Sequence, residues 1–195
     1  MKIGVLGLQG AVREHVRSLE AIGVDVRVVK RRDELEGLEG LVLPGGESTT
    51  ISLLADGPFL ERLRALAADG FPMFGTCAGM ILLATDVDGA RSPGIRAIDI
   101  AVARNASGRQ VDSFEAELNV EGIGPFLAVF IRAPYIVSLG DGVTPLAAHD
   151  GAVVMARQGN VLVSSFHPEL TDDMRIHRSF VKMVEQRRSQ KEARR

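Results

Sequence analysis

Up to about Arg91 the hydrophobic positions alternate between two periods. "KIGVLGL" is a continuous apolar run of the kind a strand buried on both faces requires. The following "GAVREHVRSLEAIG" places Val12, Val16, Leu19 and Ile22 on one helical face, with Gly23 closing the helix. "DVRVVK" and "GLVLPGG" read as the second and third strands, the latter stopped by Pro44-Gly45-Gly46. Phe59, Leu63 and Leu66 form another helical stripe, ahead of the short apolar run "PMFGT" and a helix-compatible run behind it. Strands separated by helices predict a parallel sheet within a three-layer α/β fold.

Beyond Arg91 the pattern changes. "IDIAVAR", "VDSFEAEL", "FLAVFIRA", "YIVSL", "GAVVMARQG" and "NVLVSSF" are strand-like, with little helix between them. They predict antiparallel additions on one edge of the sheet and a return to its main body with "NVLVSSF". A C-terminal helix follows, with Ile176, Phe180 and Met183 on one face and Thr171 or Asp172 as its expected cap. The tail "EQRRSQKEARR" is charged on all sides and reads as a solvated helix end. The expected organisation is one domain over residues 1–188 and a charged tail over 189–195.

Bulk properties narrow the function classes. The chain has 195 residues, 46% of them hydrophobic, which suits a single full core, and its net charge of −2 offers nothing to nucleic acid. One cysteine excludes an internal disulfide framework and fits a reducing compartment. The start "MKIGVLGLQG" is too glycine-rich for a signal peptide, and no run approaches the ~18–20 apolar residues that span a bilayer. A soluble cytoplasmic protein is expected, with no nucleic-acid or membrane partner.

The single cysteine lies in "FGTCAGM", between Gly75 and Gly79 and between a strand and a helix. G-x-C-x-G is the thiol counterpart of the nucleophile elbow, a turn so tight that neighbouring side chains would clash. Such a turn lifts the sulfur of Cys77 to the carboxyl edge of the sheet. The helix N-terminus there favours thiolate and leaves an N–H, that of Ala78, for an oxyanion. Four histidines are available as a base. His15, His149 and His177 read as surface residues, whereas His167 in "SSFHPEL" follows a core strand and lies on the same edge as Cys77. Pro168 biases His167 towards extended backbone, and Glu169, two residues on, then falls on the imidazole's side. A carboxylate there fixes the tautomer and stabilises the imidazolium.

Other readings fall away. Cys, His and Glu can ligate zinc, but no close-spaced pair of ligands supports a metal site. "GVLGLQG" has the spacing G-x-x-G-x-x-G, and Lys30-Arg31-Arg32 stand where a ribose-binding acid belongs, against a dinucleotide site. "PGGESTT" lacks the lysine of a P-loop. Its glycines instead let backbone N–H groups approach a developing negative charge. No cofactor is expected.

Together these motifs resemble the triad glutamine amidotransferases, and within them the glutaminase subunits of pyridoxal 5′-phosphate synthases. The resemblance runs nearly end to end, through "GVLGLQGAVREH", "LPGGESTT", "FGTCAGM", "RNASGRQVDSFEAEL", "FIRAP" and "SFHPEL". It implies a flavodoxin-like domain with a partly antiparallel edge. Cys77 would be the nucleophile, with His167 and Glu169 completing the triad. Gly46, Glu47, Ser48, Arg104, Ile131 and Arg132 would contact L-glutamine, Gly46 and Ala78 would form the oxyanion hole, and Gln9 and Gly10 would lie near a partner interface. The implied partner is a (β/α)8-barrel synthase that receives the ammonia. Ser107 departs from the family pattern, which often has an aromatic residue there. Two alternatives share parts of this pattern: a glutaminase of another pathway, such as histidine biosynthesis, and a non-catalytic binding module of the same fold.

Overall fold

The computed structural model describes residues 1–46, 57–104 and 113–193. Strand β1 (Lys2–Leu6) leads into α1 (Val12–Glu20), followed by β2 (Asp25–Val29) and β3 (Gly40–Leu43). Helix α2 (Gly57–Ala68), β4 (Met73–Thr76) and the short α3 (Ala78–Leu83) complete the first half. Seven strands come next: β5 (Ala84–Val87), β6 (Ala90–Arg91), β7 (Ile98–Ala103), β8 (Ser113–Val120), β9 (Gly124–Ile131), β10 (Tyr135–Leu139) and β11 (Thr144–His149). Strands β12 (Ala152–Gln158) and β13 (Val161–Ser164) precede the closing helix α4 (Arg175–Glu192). No helix among the described residues is long and apolar enough to cross a membrane.

The main sheet runs β2-β1-β3-β4-β13-β12-β10-β7-β5-β6, and its first five strands are parallel. Alternate side chains of those strands feed two cores. Leu41, Leu43, Met73, Val161 and Val163 face one way, towards Phe59 and Leu63 of α2. Ile3, Val5, Val42, Phe74 and Leu162 face the other, towards Leu19 of α1 and Phe180 and Val184 of α4. Burial on both faces is why these strands are apolar without a break. The three-layer α/β reading therefore holds.

Two expectations need correction. The pair β8–β9 does not extend an edge but forms a separate two-stranded sheet. Leu118, Val120, Phe126, Ala128 and Phe130 are buried on one side of it, while Glu115, Glu117, Asn119 and Leu127 are exposed. A ribbon with one apolar side is stabilised by lying over a core rather than by prolonging a sheet. The cap of α4 is neither Thr171 nor Asp172: the helix starts after Met174, and Asp173 accepts the Arg175 N–H at 3.0 Å. Thr171 instead closes the preceding turn, donating its hydroxyl to the Pro168 carbonyl at 3.0 Å.

Candidate active site

The parallel pairing of β4 with β13, Thr76 opposite Ser164, brings the carboxyl ends of the two strands side by side. Cys77 continues that ladder by one bond, its N–H donating to the Ser164 carbonyl at 2.8 Å. It then turns sharply, with φ 49° and ψ −107°, a left-handed conformation that costs a non-glycine residue energy. The flanking glycines make the turn possible. A Cβ on Gly79 would sit 1.9 Å from the Leu43 carbonyl oxygen, and one on Gly75 would sit 2.6 Å from the Gly79 backbone. Helix α3 must pack against β3 and β4 at backbone distance to hold the elbow, and only glycine permits it.

His167 reaches Cys77 from the end of β13. Its N–H donates to the Val129 carbonyl at 2.8 Å, tying it to the β8–β9 ribbon. Its Nδ1 lies 2.7 Å from Glu169 Oε1, and its ring stands beside the Cys77 side chain, both within 3.2 Å of where a Cβ on Gly45 would be. The pairing with Glu169 arises differently from the extended alternation expected. Pro168–Leu170 form a 3-10 turn, with proline at its start, and this turn brings the carboxylate back under the ring. All three residues are nearly inaccessible, at 8%, 7% and 5% exposure for Cys77, His167 and Glu169. Burial pulls the His167 pKa down, but Cys77 and Glu169 outweigh it and raise it to about 10. Burial likewise pushes Glu169 up, yet His15 and His167 on either side hold it below the ordinary carboxylate range.

The rim is built from three loops. Gly45 lies so close that a Cβ there would be 2.4 Å from His167 Cε1 and 3.2 Å from Cys77 Cβ. The Gly45 carbonyl accepts the Ala11 N–H at 3.1 Å, and a Cβ on Gly10 would strike that carbonyl oxygen at 1.5 Å. The exposed Gln9-Gly10 segment thus rests directly on Gly45-Gly46. Ile131 approaches from the third side, its carbonyl 4.0 Å from Cys77 Sγ, and Arg132 follows with φ 42°. Ala78 opens α3 immediately after the cysteine. Glu47, Ser48 and Ser107 lie outside the described residues.

Arg104 is the sequence-derived candidate that these contacts do not bring to Cys77. It is exposed, and its backbone N–H and Nε donate to Asp88 at 2.8 and 2.5 Å. Ala103 pairs with Tyr135 and Ile136 with Val153, which sets the end of β7 near the level of the β13 carboxyl end, three strands across. That separation is roughly 14 Å at ~4.8 Å per strand.

The expectation of three surface histidines fails. His15 and His177 are both completely buried. His15 Nδ1 lies 3.1 Å from His177 Nε2, and His15 Nε2 lies 3.1 Å from Thr76 Oγ1 and 3.4 Å from Glu169 Oε2. Thr76 Oγ1 in turn accepts the Gly45 N–H at 3.1 Å. His149 is half-buried and stacks on Phe114 and Phe130 at 5.3 and 5.6 Å. A signal for the first two was present: His15 precedes Leu19 by four residues and His177 precedes Phe180 by three, so each lies on an apolar helical face. The charged neighbours of His15 in sequence mask it.

Comparison with known proteins adds a family. The model of the SNO glutamine amidotransferase family matches residues 5–186. The pyridoxal 5′-phosphate synthase subunit PdxT of Geobacillus kaustophilus is 57% identical over 188 residues, 95% of this chain and 96% of that protein. PdxT of Bacillus cereus is 56% identical over 193 residues, 98% of each. A crystal structure of a glutamine amidotransferase matches with a TM-score of 0.89 at 47% identity, covering 94% of this chain and 98% of the other. A putative GMP synthase component from Thermoplasma acidophilum shares the fold, with a TM-score of 0.72 at 21% identity over 98% of each chain.

Proposed function

The chain belongs to the SNO glutamine amidotransferase family, and from that premise we propose that it is the glutaminase subunit of a pyridoxal 5′-phosphate synthase. It hydrolyses L-glutamine to glutamate and ammonia in the cytoplasm and passes the ammonia to a (β/α)8-barrel synthase subunit. The observation that carries the reading is the buried Cys77–His167–Glu169 chain at the carboxyl ends of two adjacent parallel strands.

The chemistry follows from that chain. Cys77 gives its proton to His167, and the thiolate attacks the side-chain amide carbon of glutamine, forming a C–S bond. The N–H groups of Gly46 and Ala78 receive the resulting oxyanion. Collapse of this intermediate breaks the C–N bond, and the His167 imidazolium supplies the proton with which ammonia departs. His167 then removes a proton from water, whose oxygen attacks the thioester and releases glutamate and the thiolate. Glu169 keeps the imidazole oriented and its charge balanced throughout. Glu47, Ser48, Ile131 and Arg132 contact the substrate, and Arg104 takes its α-carboxylate through paired hydrogen bonds once it exchanges Asp88 for glutamine.

Gln9 and Gly10 face the synthase. Because the Gly45 carbonyl is bonded to Ala11, the Gln9–Ala11 loop governs how the Gly45–Gly46 peptide presents its N–H. Docking through that loop therefore acts on the oxyanion hole. The test is glutamate release measured while a barrel synthase subunit is titrated in. The expected result is activation of roughly 10²–10³-fold, the worth of one oxyanion donor, reduced in Gln9→Ala. No release with or without the synthase would overturn the glutaminase reading.

A further inference from the structure

The chain of reaction steps leaves one polar cluster unused: the buried His15, His177 and Thr76 behind Glu169. Their hydrogens are fixed by their partners. Among the described residues, His177 Nδ1 is buried with no hydrogen-bond partner, and an orphaned N–H costs more than an orphaned lone pair. The His177 proton therefore sits on Nε2 and is donated to His15 Nδ1, 3.1 Å away. His15 must then carry its own proton on Nε2, which points at Thr76 Oγ1 and Glu169 Oε2. Glu169 Oε2 is likewise buried without a hydrogen-bond partner among the described residues, and His15 Nε2 is 3.4 Å from it. An ionised carboxylate buried in that way is unfavourable unless an N–H faces its second oxygen.

We propose that His15 is a positioning residue for the reacting trio: as a neutral Nε2–H donor it steadies the ionised Glu169 from behind and, through Thr76, holds the Gly45 N–H in place. The same imidazole thus touches both halves of the machinery, the carboxylate that orients His167 and the loop that carries the second oxyanion donor. Its neutrality is enforced by burial, which lowers its pKa against the opposing pull of Glu169. The titratable groups around it are Glu169 and His167 beyond β13, His177 on α4 and Glu14 on its own helix. Phe74, edge-on at 6.2 Å, supplies the apolar wall. This inference rests on the glutaminase reading above for its kinetic test but not for its spectroscopic one.

The experiment uses the complex with the synthase and compares wild type, His15→Leu and His15→Gln, whose amide can present an N–H where Nε2 stood. His15→Leu is expected to lower kcat roughly 10- to 100-fold, the range seen when a group that orients a reacting side chain is lost, with KM for glutamine within about twofold. It should also move the acid limb of kcat/KM upward by about one pH unit, because Glu169 loses the N–H that faces its second oxygen. His15→Gln should recover most of both effects. A merely structural role would reduce folded protein without moving the limb. Equal loss in both variants with an unmoved profile would overturn the proposal, and so would wild-type behaviour in His15→Leu. Imidazole nitrogen NMR of the wild-type protein is the second arm and needs no variant to fold. A neutral Nε2–H tautomer at neutral pH supports the proposal, while an Nδ1–H tautomer or an imidazolium at His15 overturns it. Absence of glutamate release in wild type would sink the glutaminase reading alone, and the tautomer would still decide the role of His15.

Discussion

His167 and His177 are both buried and both belong to one line of polar contacts through Glu169 and His15, yet their protonation shifts in opposite directions. Burial disfavours the charged form of each. At His167 the Cys77 and Glu169 side chains reverse the outcome and raise the pKa to about 10. At His177 the neighbours are His15 and the ring of Phe74, and burial prevails, lowering the pKa to about 3. Glu169 is too far along the chain to offset it. Burial sets the cost of a charge, and the groups in direct contact decide whether the cost is met. One side of Glu169 is built to hold charge and move protons, the other to remain neutral and hold geometry.

The largest effect is expected from emptying the charged side. Cys77→Ala should abolish glutamine hydrolysis, with a loss on the order of 10⁴–10⁶ in rate, the scale of losing a triad nucleophile. The fold should persist, since Ala fits where Cys does. Turnover close to wild type, measured as glutamate release in the complex, would show that Cys77 does not attack the substrate.

Glu169→Gln strikes the divide itself and should rank second, with a loss of ~10²–10⁴ in rate. On the open side the amide oxygen still accepts from His167 Nδ1 but no longer balances an imidazolium. On the closed side the amide can present an N–H to a nitrogen that already carries a proton, so His15 and His177 must both exchange tautomers. Single-turnover thioester formation reads the first effect and imidazole NMR the second. A kinetically silent Glu169→Gln would reduce the trio to a Cys77–His167 dyad.

The two sides also differ in how far sequence alone reveals them. The G-x-C-x-G elbow and the strand-end H-x-E are local patterns, and the structure joins them because β4 and β13 are parallel neighbours. Even there the linkage of Glu169 to His167 comes from a 3-10 turn, which the residue after a proline does not announce. The neutral side is only half visible by the same means: helical spacing turns His15 and His177 inward but does not make them neighbours. His15, Thr76 and His177 come from three separate elements, and only packing of α1 and α4 on the Phe74 face of the sheet unites them. The fold shows the same division. Unbroken apolar strands are legible, whereas β5, β6 and β11 carry little strand signal: Thr85 and Asp86 interrupt β5, β6 is two residues long, and β11 holds Pro145 where it pairs with β12.

The last effect is thermodynamic rather than kinetic, and it isolates the neutral side. The folded-state pKa of His177, about 3, lies below the ~6.5 of an unfolded histidine. Between those values the unfolded chain binds a proton that the folded chain refuses. Its contribution is therefore complete above pH ~6.5 and is lost as pH falls towards 3, by up to roughly 5 kcal/mol. Glu169, held low, adds to the same acid limb as pH falls through its own value. His167 runs the other way: its raised pKa gives stability that is complete below pH ~6.5 and lost as pH rises through about 10. His177→Gln keeps an N–H for His15 Nδ1 and removes the titration. Urea unfolding at a series of pH values should show a shallower acid limb in this variant and an unchanged alkaline limb. An acid limb as steep as in wild type would mean that His177 is protonated in the folded protein, and the contrast with His167 would not stand.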